Sequence, residues 1–424
     1  MIDIKLIREN QNLVKENIKK RFKDISVVDK IIKKDSEWRK FKGETDSLRA
    51  ERNKLSKQVA ELKKAGKDAA QTLKKAQEIP EKIDKIEAEL KKLESEINEL
   101  LLTIPNILHN KVPIGKDSTK NIEIKKWGKI VKPKFEIKNH AELIESMGKA
   151  DFNAGRANAG EGFNYLLGDI ALLDHALQRY GVDFLLKKGF TLVVPPMMLN
   201  FETLLASLNG LKDFEEVVYK IEKENLYMIG TAEHSLVSLY KNRVLNMKEL
   251  PIKLCALTPC FRKEIGSHGV DTKGLYRMHQ FNKVEQVVYC SPEESYKMLE
   301  EMQKISEEFF QSLKIPYRVI EICSGDLSQK LAKQYDIEAW FPRQGKYGEV
   351  TSAGNCTDFQ SRALDIKYYN HEQKVYPHLL NNTMVATSRA MVAILENFQQ
   401  KDGSVEIPKV LQPYMFNKKK IGTK

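Results

Sequence analysis

Several common devices are missing from this sequence of 424 residues. No stretch approaches the ~18 consecutive apolar residues that a membrane span requires. Met1-Ile2-Asp3-Ile4-Lys5 has neither the basic nor the apolar region of a secretory signal. A cytoplasmic location with no membrane partner is therefore expected. The five cysteines, Cys255, Cys260, Cys290, Cys323 and Cys356, form no C-x-x-C pair, which argues against both a disulfide framework and a zinc finger. Cys255 and Cys260 have no His or Cys neighbour to complete a tetrahedral metal site, so buried thiols are expected. Neither G-x-x-x-x-G-K-[ST] nor a G-x-G-x-x-G after a strand occurs, so any nucleotide must be held without the commonest phosphate loops. Internal repeats and low-complexity segments are absent as well.

What is present divides into two halves. The length exceeds what one hydrophobic core usually serves. In the first hundred residues, Trp38, Phe41, Thr45, Leu48, Arg52, Leu55, Val59 and Leu62 alternate three and four apart, and Ile83, Ile86, Leu90, Leu93, Ile97, Leu100 and Ile104 repeat that rhythm. This is the pattern of a coiled-coil seam written twice. Gly66 can end the first helix and Asp68 can cap the second, so an antiparallel helical hairpin is expected, with a break or kink near Pro80. The formal net charge is +12, which favours a polyanionic partner through phosphate neutralisation. Arg49, Arg52, Lys54, Lys57, Lys63, Lys64 and Lys67 cluster toward the hairpin tip, with Lys74 and Lys75 beyond the turn, where they can follow a phosphate backbone without reading bases. A dimerisation rod with a solvated basic face has the same periodicity.

The coiled coil stops at Ile104-Pro105-Asn106, and the polar stretch 105–128 reads as a linker. Beyond it, β-rich runs (Thr191 to Val194, Lys253 to Phe261, Val284 to Tyr289, Tyr317 to Ile322) mix with helical patterns (Leu166 to Leu186, Ser291 to Leu313, Arg389 to Gln399). They do not alternate strictly, which predicts an α+β domain over 129–424 around a largely antiparallel sheet flanked by helices. Residues 253–264 read as a strand with Arg262 and Glu264 on one face. A polar excursion, 266–274, carries three glycines and suits a loop between paired strands, and Arg277, Phe281 and Glu285 share the face of the returning strand. Phe281 and Glu285 would then lie about 13 Å apart, a span for a ligand that is aromatic at one end and cationic at the other.

Phe261-Arg262-Lys263-Glu264, a Gly-rich loop, then Arg277-Met278-His279-Gln280-Phe281-Asn282-Lys283-Val284-Glu285 resemble the second signature motif of class II aminoacyl-tRNA synthetases, in the form found in seryl-tRNA synthetases. Gly189 through Pro196 and Met197 resembles the first motif, which in the family builds a dimer interface. Asn381-Asn382-Thr383 through Arg389 resembles the third, in a form closer to the archaeal and eukaryotic branch. Thr231-Ala232-Glu233 is similar to the family's serine-binding loop, and Glu349-Val350-Thr351-Ser352 to its metal and ATP segment. The long hairpin and the lack of a zinc-ligand cysteine set match the common type of the family rather than the methanogen type.

The resemblance implies ATP-dependent activation of L-serine and transfer to tRNA(Ser), and to tRNA(Sec) where present, by a homodimer. It assigns serine to Thr231, Ala232, Glu233, Glu285 and Thr383. ATP falls to Arg262, Lys263, Glu264, Arg277, Met278, Phe281, Glu349, Val350, Thr351, Ser352 and Arg389, and magnesium to Glu349 and Ser352. The hairpin becomes the tRNA-binding arm, and Gly189 and Pro196 mark the dimer motif. Strict alternation would set Glu349 and Ser352 on opposite faces of a strand, so a bulge or strand end is expected there. Thr231 with Glu233 also reads as a helix cap. Another class II synthetase, an amino-acid ligase acting on a carrier protein, and a non-catalytic RNA-binding relative are the alternatives.

Overall fold

The computed structural model describes residues 1–208, 210, 216–264 and 274–422. The chain divides into two compact units, one holding 2–19 and 23–104, the other holding residue 1, 20–22 and 105–424. The Gly-rich excursion expected at 266–274 lies, apart from Gly274, outside the described residues.

In the first unit, short helices α1 (Ile4–Glu9) and α2 (Gln11–Lys20) precede the long helices α3 (Ser26–Lys64) and α4 (Ala70–Leu101). At ~1.5 Å per residue these arms are roughly 58 and 48 Å long. Gly66, at φ +69°, ends α3: its N–H donates to the Lys63 carbonyl while that of Lys67 donates to Leu62, the paired bonds of a left-handed helix stop. Asp68 accepts the Ala70 N–H at 2.8 Å and starts α4. Along the seam Thr45 is buried because its hydroxyl returns to the Phe41 carbonyl at 3.0 Å, whereas Arg52 stays exposed. Pro80 does not break the second arm, contrary to expectation, and α4 is one element from Ala70 to Leu101. Pro80 is exposed, so the carbonyl deprived of its donor can turn to water, while Ile79 and Ile83 beside it stay buried.

The second unit is built on an eight-stranded sheet. Its strands are β1 (Ile122–Trp127), β2 (Thr191–Leu192), β3 (Ile252–Phe261), β4 (Gln280–Cys290), β5 (Tyr317–Glu321), β6 (Lys333–Phe341), β7 (Lys346–Asn355) and β8 (His378–Ala386). Their order is β1-β5-β6-β7-β8-β4-β3-β2, antiparallel throughout except where β2 lies parallel to β3. The stretch read as a linker therefore contributes β1, an edge strand. Its side chains are almost all exposed, so no apolar alternation marks it, and its lysines suit an unpaired edge.

Alternation along β4 sorts the layers. Val284, Val288 and Cys290 join the large core with α5 (Gly168–Lys187), α7 (Ser295–Ser312) and α8 (Thr387–Asn397). Val287 and Tyr289 face the opposite way, into a smaller core with α6 (Ala232–Ser238). Glu285 shares that second parity, which places it on the side of α6. All five cysteines are buried free thiols. Among the described residues no helix is long and apolar enough to cross a membrane, and no group of three His, Cys, Asp or Glu side chains is placed to hold a metal.

Candidate functional site

Glu285 sits mid-strand, paired with Ala256 of β3 and Thr383 of β8, and is 1% exposed. Its Oε1 accepts from Thr383 Oγ1 at 2.9 Å, Thr231 Oγ1 at 3.1 Å and the Lys283 ammonium. Its Oε2 is buried with no hydrogen-bond partner among the described residues. A desolvated carboxylate oxygen without a donor is costly, so this atom suits the donor of a ligand. Phe281, Lys283 and Glu285 follow one another on one face and line a cavity of about 330 Å³.

Thr231 is the N-cap of α6, accepting the Glu233 N–H at 3.2 Å while its own proton goes to Glu285. The capping reading of this loop therefore holds, and the same hydroxyl also reaches a carboxylate of the cavity. Glu233 is a second buried carboxylate lining the cavity, and its Oε1 accepts from Lys330 Nζ and Gln360 Nε2. Burial would raise its pKa, but the Lys330 ammonium, with the bonds from Lys330 and Gln360, outweighs that and holds it below the ordinary carboxylate value. Burial pushes His234 down to about 3, so the imidazole is neutral at pH 7.

The other end of the cavity is cationic and aromatic. Arg262 donates through Nε to the Gly230 carbonyl at 3.1 Å, with its guanidinium 5.4 Å from the Phe281 ring centroid. The strand carrying it stops at Phe261, three residues earlier than expected, and Glu264 adopts φ +47°. Both Arg262 and Glu264 face the cavity because the chain turns, not because they alternate on one strand. Arg277 meets Glu264 at 3.3 Å, and Arg389 meets Glu349 Oε1 at 3.0 Å while lying 5.0 Å from the Tyr276 ring. Two arginines are thus held over the cavity by carboxylates that anionic oxygens can replace.

Beside them, β6 and β7 slip register: Ile337 pairs with Thr351 and Glu338 with Glu349, leaving Val350 as the extra residue of a bulge. The bulge brings Glu349 and Ser352 to one face, and both line the cavity. Gln334 Nε2 donates to Ser352 Oγ at 3.0 Å and to Asp336 at 2.9 Å. Burial, with repulsion from Glu349, pushes Asp336 up to about 8, so its carboxyl keeps a proton at pH 7 and the charge of this corner falls to Glu349. A second bulge, at Met384 in β8, lets Thr383 and Ala386 both face the cavity.

Of the residues singled out from the sequence for serine, ATP and metal, Thr231, Glu233, Arg262, Glu264, Arg277, Met278, Phe281, Glu285, Glu349, Val350, Ser352, Thr383 and Arg389 line this cavity. Ala232, Lys263 and Thr351 do not. Ala232 is packed in the smaller core, the Lys263 backbone pairs with Val217, and Thr351 is buried on the other side of the bulge. Lys283, Lys330, Tyr276, Gln334 and His234 also line the cavity and were missed. The alternation that selects Phe281 and Glu285 already selects Lys283; the other four carry no comparable signal.

In the helical unit, Arg49, Arg52, Lys54, Lys57, Lys63, Lys64 and Lys67 are all exposed, and Arg49 bridges the two arms through Glu87 at 2.6 Å. Gly189, at φ +82°, closes α5 just before β2. Pro196 accepts from Ser235 Oγ at 2.7 Å, and around it Leu186, Leu192, Met197, Met198 and above all Val194, at 88%, are exposed.

Residues 1–108 match the model of the seryl-tRNA synthetase N-terminal domain, and residues 218–398 match that of the tRNA synthetase class II core domain (G, H, P, S and T). A serine–tRNA ligase of Methanocella arvoryzae is 46% identical, over 98% of this chain and 99% of the relative. The crystal structure of seryl-tRNA synthetase from Pyrococcus horikoshii complexed with ATP aligns at TM-score 0.92 and 45% identity, covering 99% of both chains. The cytoplasmic serine–tRNA ligase of Naegleria fowleri in complex with AMP aligns at 0.88 and 35%, over 99% of this chain and 98% of that one.

Proposed function

The chain belongs to the seryl-tRNA synthetase family and joins serine to tRNA with ATP, and from that membership we propose how its own residues do so. The observation that carries the proposal is the half-satisfied Glu285. One oxygen is saturated by Thr231, Thr383 and Lys283, and the other is buried in the cavity wall without a donor. Serine brings both a hydroxyl and an ammonium to such a pocket. A site built to bond the hydroxyl leaves polar groups unpaired when alanine enters, which is the strongest form of discrimination available to it.

In the first step a serine carboxylate oxygen attacks the α-phosphorus of ATP, the bond to the β-phosphate oxygen breaks, and pyrophosphate leaves. In the second, a terminal ribose hydroxyl of tRNA attacks the carbonyl carbon of the adenylate and AMP leaves. Neither step needs a covalent enzyme intermediate, so positioning and charge neutralisation are the protein's contribution. Arg262, between the amino-acid end and Phe281, takes the α-phosphate. Phe281 stacks on adenine, whose amine Glu264 accepts. Arg277 and Arg389 exchange Glu264 and Glu349 for the distal phosphates.

Glu349 and Ser352 fit magnesium, because two oxygen donors on one bulged edge leave room for waters and phosphate oxygens. Bound there, magnesium supplies positive charge to the polyphosphate. The exposed basic face of the hairpin is the tRNA arm, for tRNA(Ser) and, where present, tRNA(Sec). The exposed apolar strip from Leu186 to Met198 is the dimer face. Free buried thiols suit a cytoplasmic setting.

Pyrophosphate exchange into ATP with each amino acid in turn tests this reading. Serine is the amino acid expected to support exchange; support by alanine or threonine and not by serine would overturn it.

A further inference from the structure

The two carboxylates of the amino-acid end are held by different means. Glu285 takes its donors from the sheet and the α6 cap, whereas Glu233 depends on Lys330, which lies in the irregular segment before β6. Lys330 is only 7% exposed, lines the cavity, and has the Ser207 carbonyl as its other contact at 3.5 Å. Burial disfavours its charge, yet Glu233 more than offsets this and raises its pKa above the ordinary lysine value.

The backbone that presents Lys330 is pinned almost residue by residue. Arg21, which packs with the catalytic unit, donates to the carbonyls of Ser328 at 3.2 Å and Leu331 at 2.5 Å. The Asn106 backbone N–H donates to Gln329 at 2.8 Å, and its side-chain amide to Lys330 at 2.9 Å. Arg21 has no carboxylate in this set; burial pushes it down to about 9, and its charge serves peptide carbonyls. A loop fixed this tightly sets the reach of one side chain to about the precision that a substrate contact demands.

We propose that Lys330 is a positioning residue for the amino acid, locking Oε1 of Glu233 so that Oε2 is presented to the substrate ammonium. Both bonds to Glu233 fall on Oε1, and together with Lys283 the lysine balances the charges of Glu233 and Glu285, leaving a near-neutral cradle for a zwitterion. This inference rests on the serine reading of the cavity.

Serine-dependent pyrophosphate exchange by the full chain tests it, with Lys330→Met, Lys330→Arg, Glu233→Gln and the double variant Glu233→Gln/Lys330→Met. Lys330→Met is expected to raise KM for serine about tenfold or more with KM for ATP nearly unchanged, and Lys330→Arg to restore part of the loss. The groups facing Glu233 are Lys330, His234 and the buried Cys356 thiol, with Arg262, Lys283 and Glu285 around them. Without its lysine, burial raises the pKa of Glu233 and its carboxyl is protonated more readily, so KM for serine in Lys330→Met should fall as pH rises, more than in the wild type. In Glu233→Gln that pH dependence disappears, and the neutral double variant, which carries no unpaired charge, should match Glu233→Gln. Unchanged KM for serine in Lys330→Met overturns the inference alone, as does additivity in the double variant. Absence of serine-dependent exchange in the wild type overturns the serine reading and this inference with it.

Discussion

His234 shows what a single residue can report. Its folded pKa, about 3, lies below the ~6.5 of an unfolded histidine. Between those values the unfolded chain binds a proton that the folded chain does not, so stability is present above about pH 6.5 and is lost as pH falls toward 3. That loss approaches about 1.4 kcal/mol per pH unit from this group. Urea unfolding at pH 7.5 and 5 should show a steeper loss for the wild type than for His234→Gln, and equal losses would contradict the burial argument. The cause was not legible from sequence: His234 follows Glu233 in an ordinary helical start, and only the sheet packed over α6 makes its site dry. Lys283 was legible and overlooked. Alternation sets Glu285 on the face that lines the cavity, but the saturation of one oxygen depends on Thr231 and Thr383, which lie on other elements.

At the scale of elements, the decisive feature is the β7 bulge. For Glu349-Val350-Thr351-Ser352, the roles assigned to Glu349 and Ser352 require a bulge or strand end, and the bulge is there; alternation alone does not locate it, because nothing in Val350 marks the extra residue. The structure puts Ser352 in the cavity and Thr351 out of it, with the Thr351 hydroxyl buried and unpaired among the described residues. Replacing such a hydroxyl by a methyl group is neutral or stabilising. Thr351→Val should therefore keep exchange within about twofold of wild type, whereas Ser352→Ala should lower it about tenfold and raise the magnesium concentration at half activity. The reverse ranking, in exchange assays titrated with magnesium, would refute the face assignment. The hairpin was the most legible element, since heptads, Gly66 and Asp68 each act locally. The break that Pro80 could cause does not occur, because a helix held by a buried seam tolerates one lost bond on its wet side. The edge strand β1 was missed because exposure on both faces erases the period of two.

Over the whole molecule, the excess of positive charge and the two-part division belong together. On the proposed function, the exposed basic face of the hairpin and the cavity of the catalytic unit serve one polyanion long enough to engage both. The exposed apolar strip around Val194 is a further whole-molecule feature, since an isolated chain gains nothing by wetting it. This protein, on the proposed function, selects serine and delivers it to tRNA by way of the arm. Charging of a tRNA(Ser) transcript with radiolabelled amino acid, by the full chain and by a chain lacking residues 30–102, tests it most directly. The full chain should form seryl-tRNA with a preference for serine over alanine and threonine of at least about a hundredfold, and the shortened chain should retain pyrophosphate exchange while charging falls at least about a hundredfold. Undiminished charging without the arm, or loading of another amino acid in place of serine, would contradict the account.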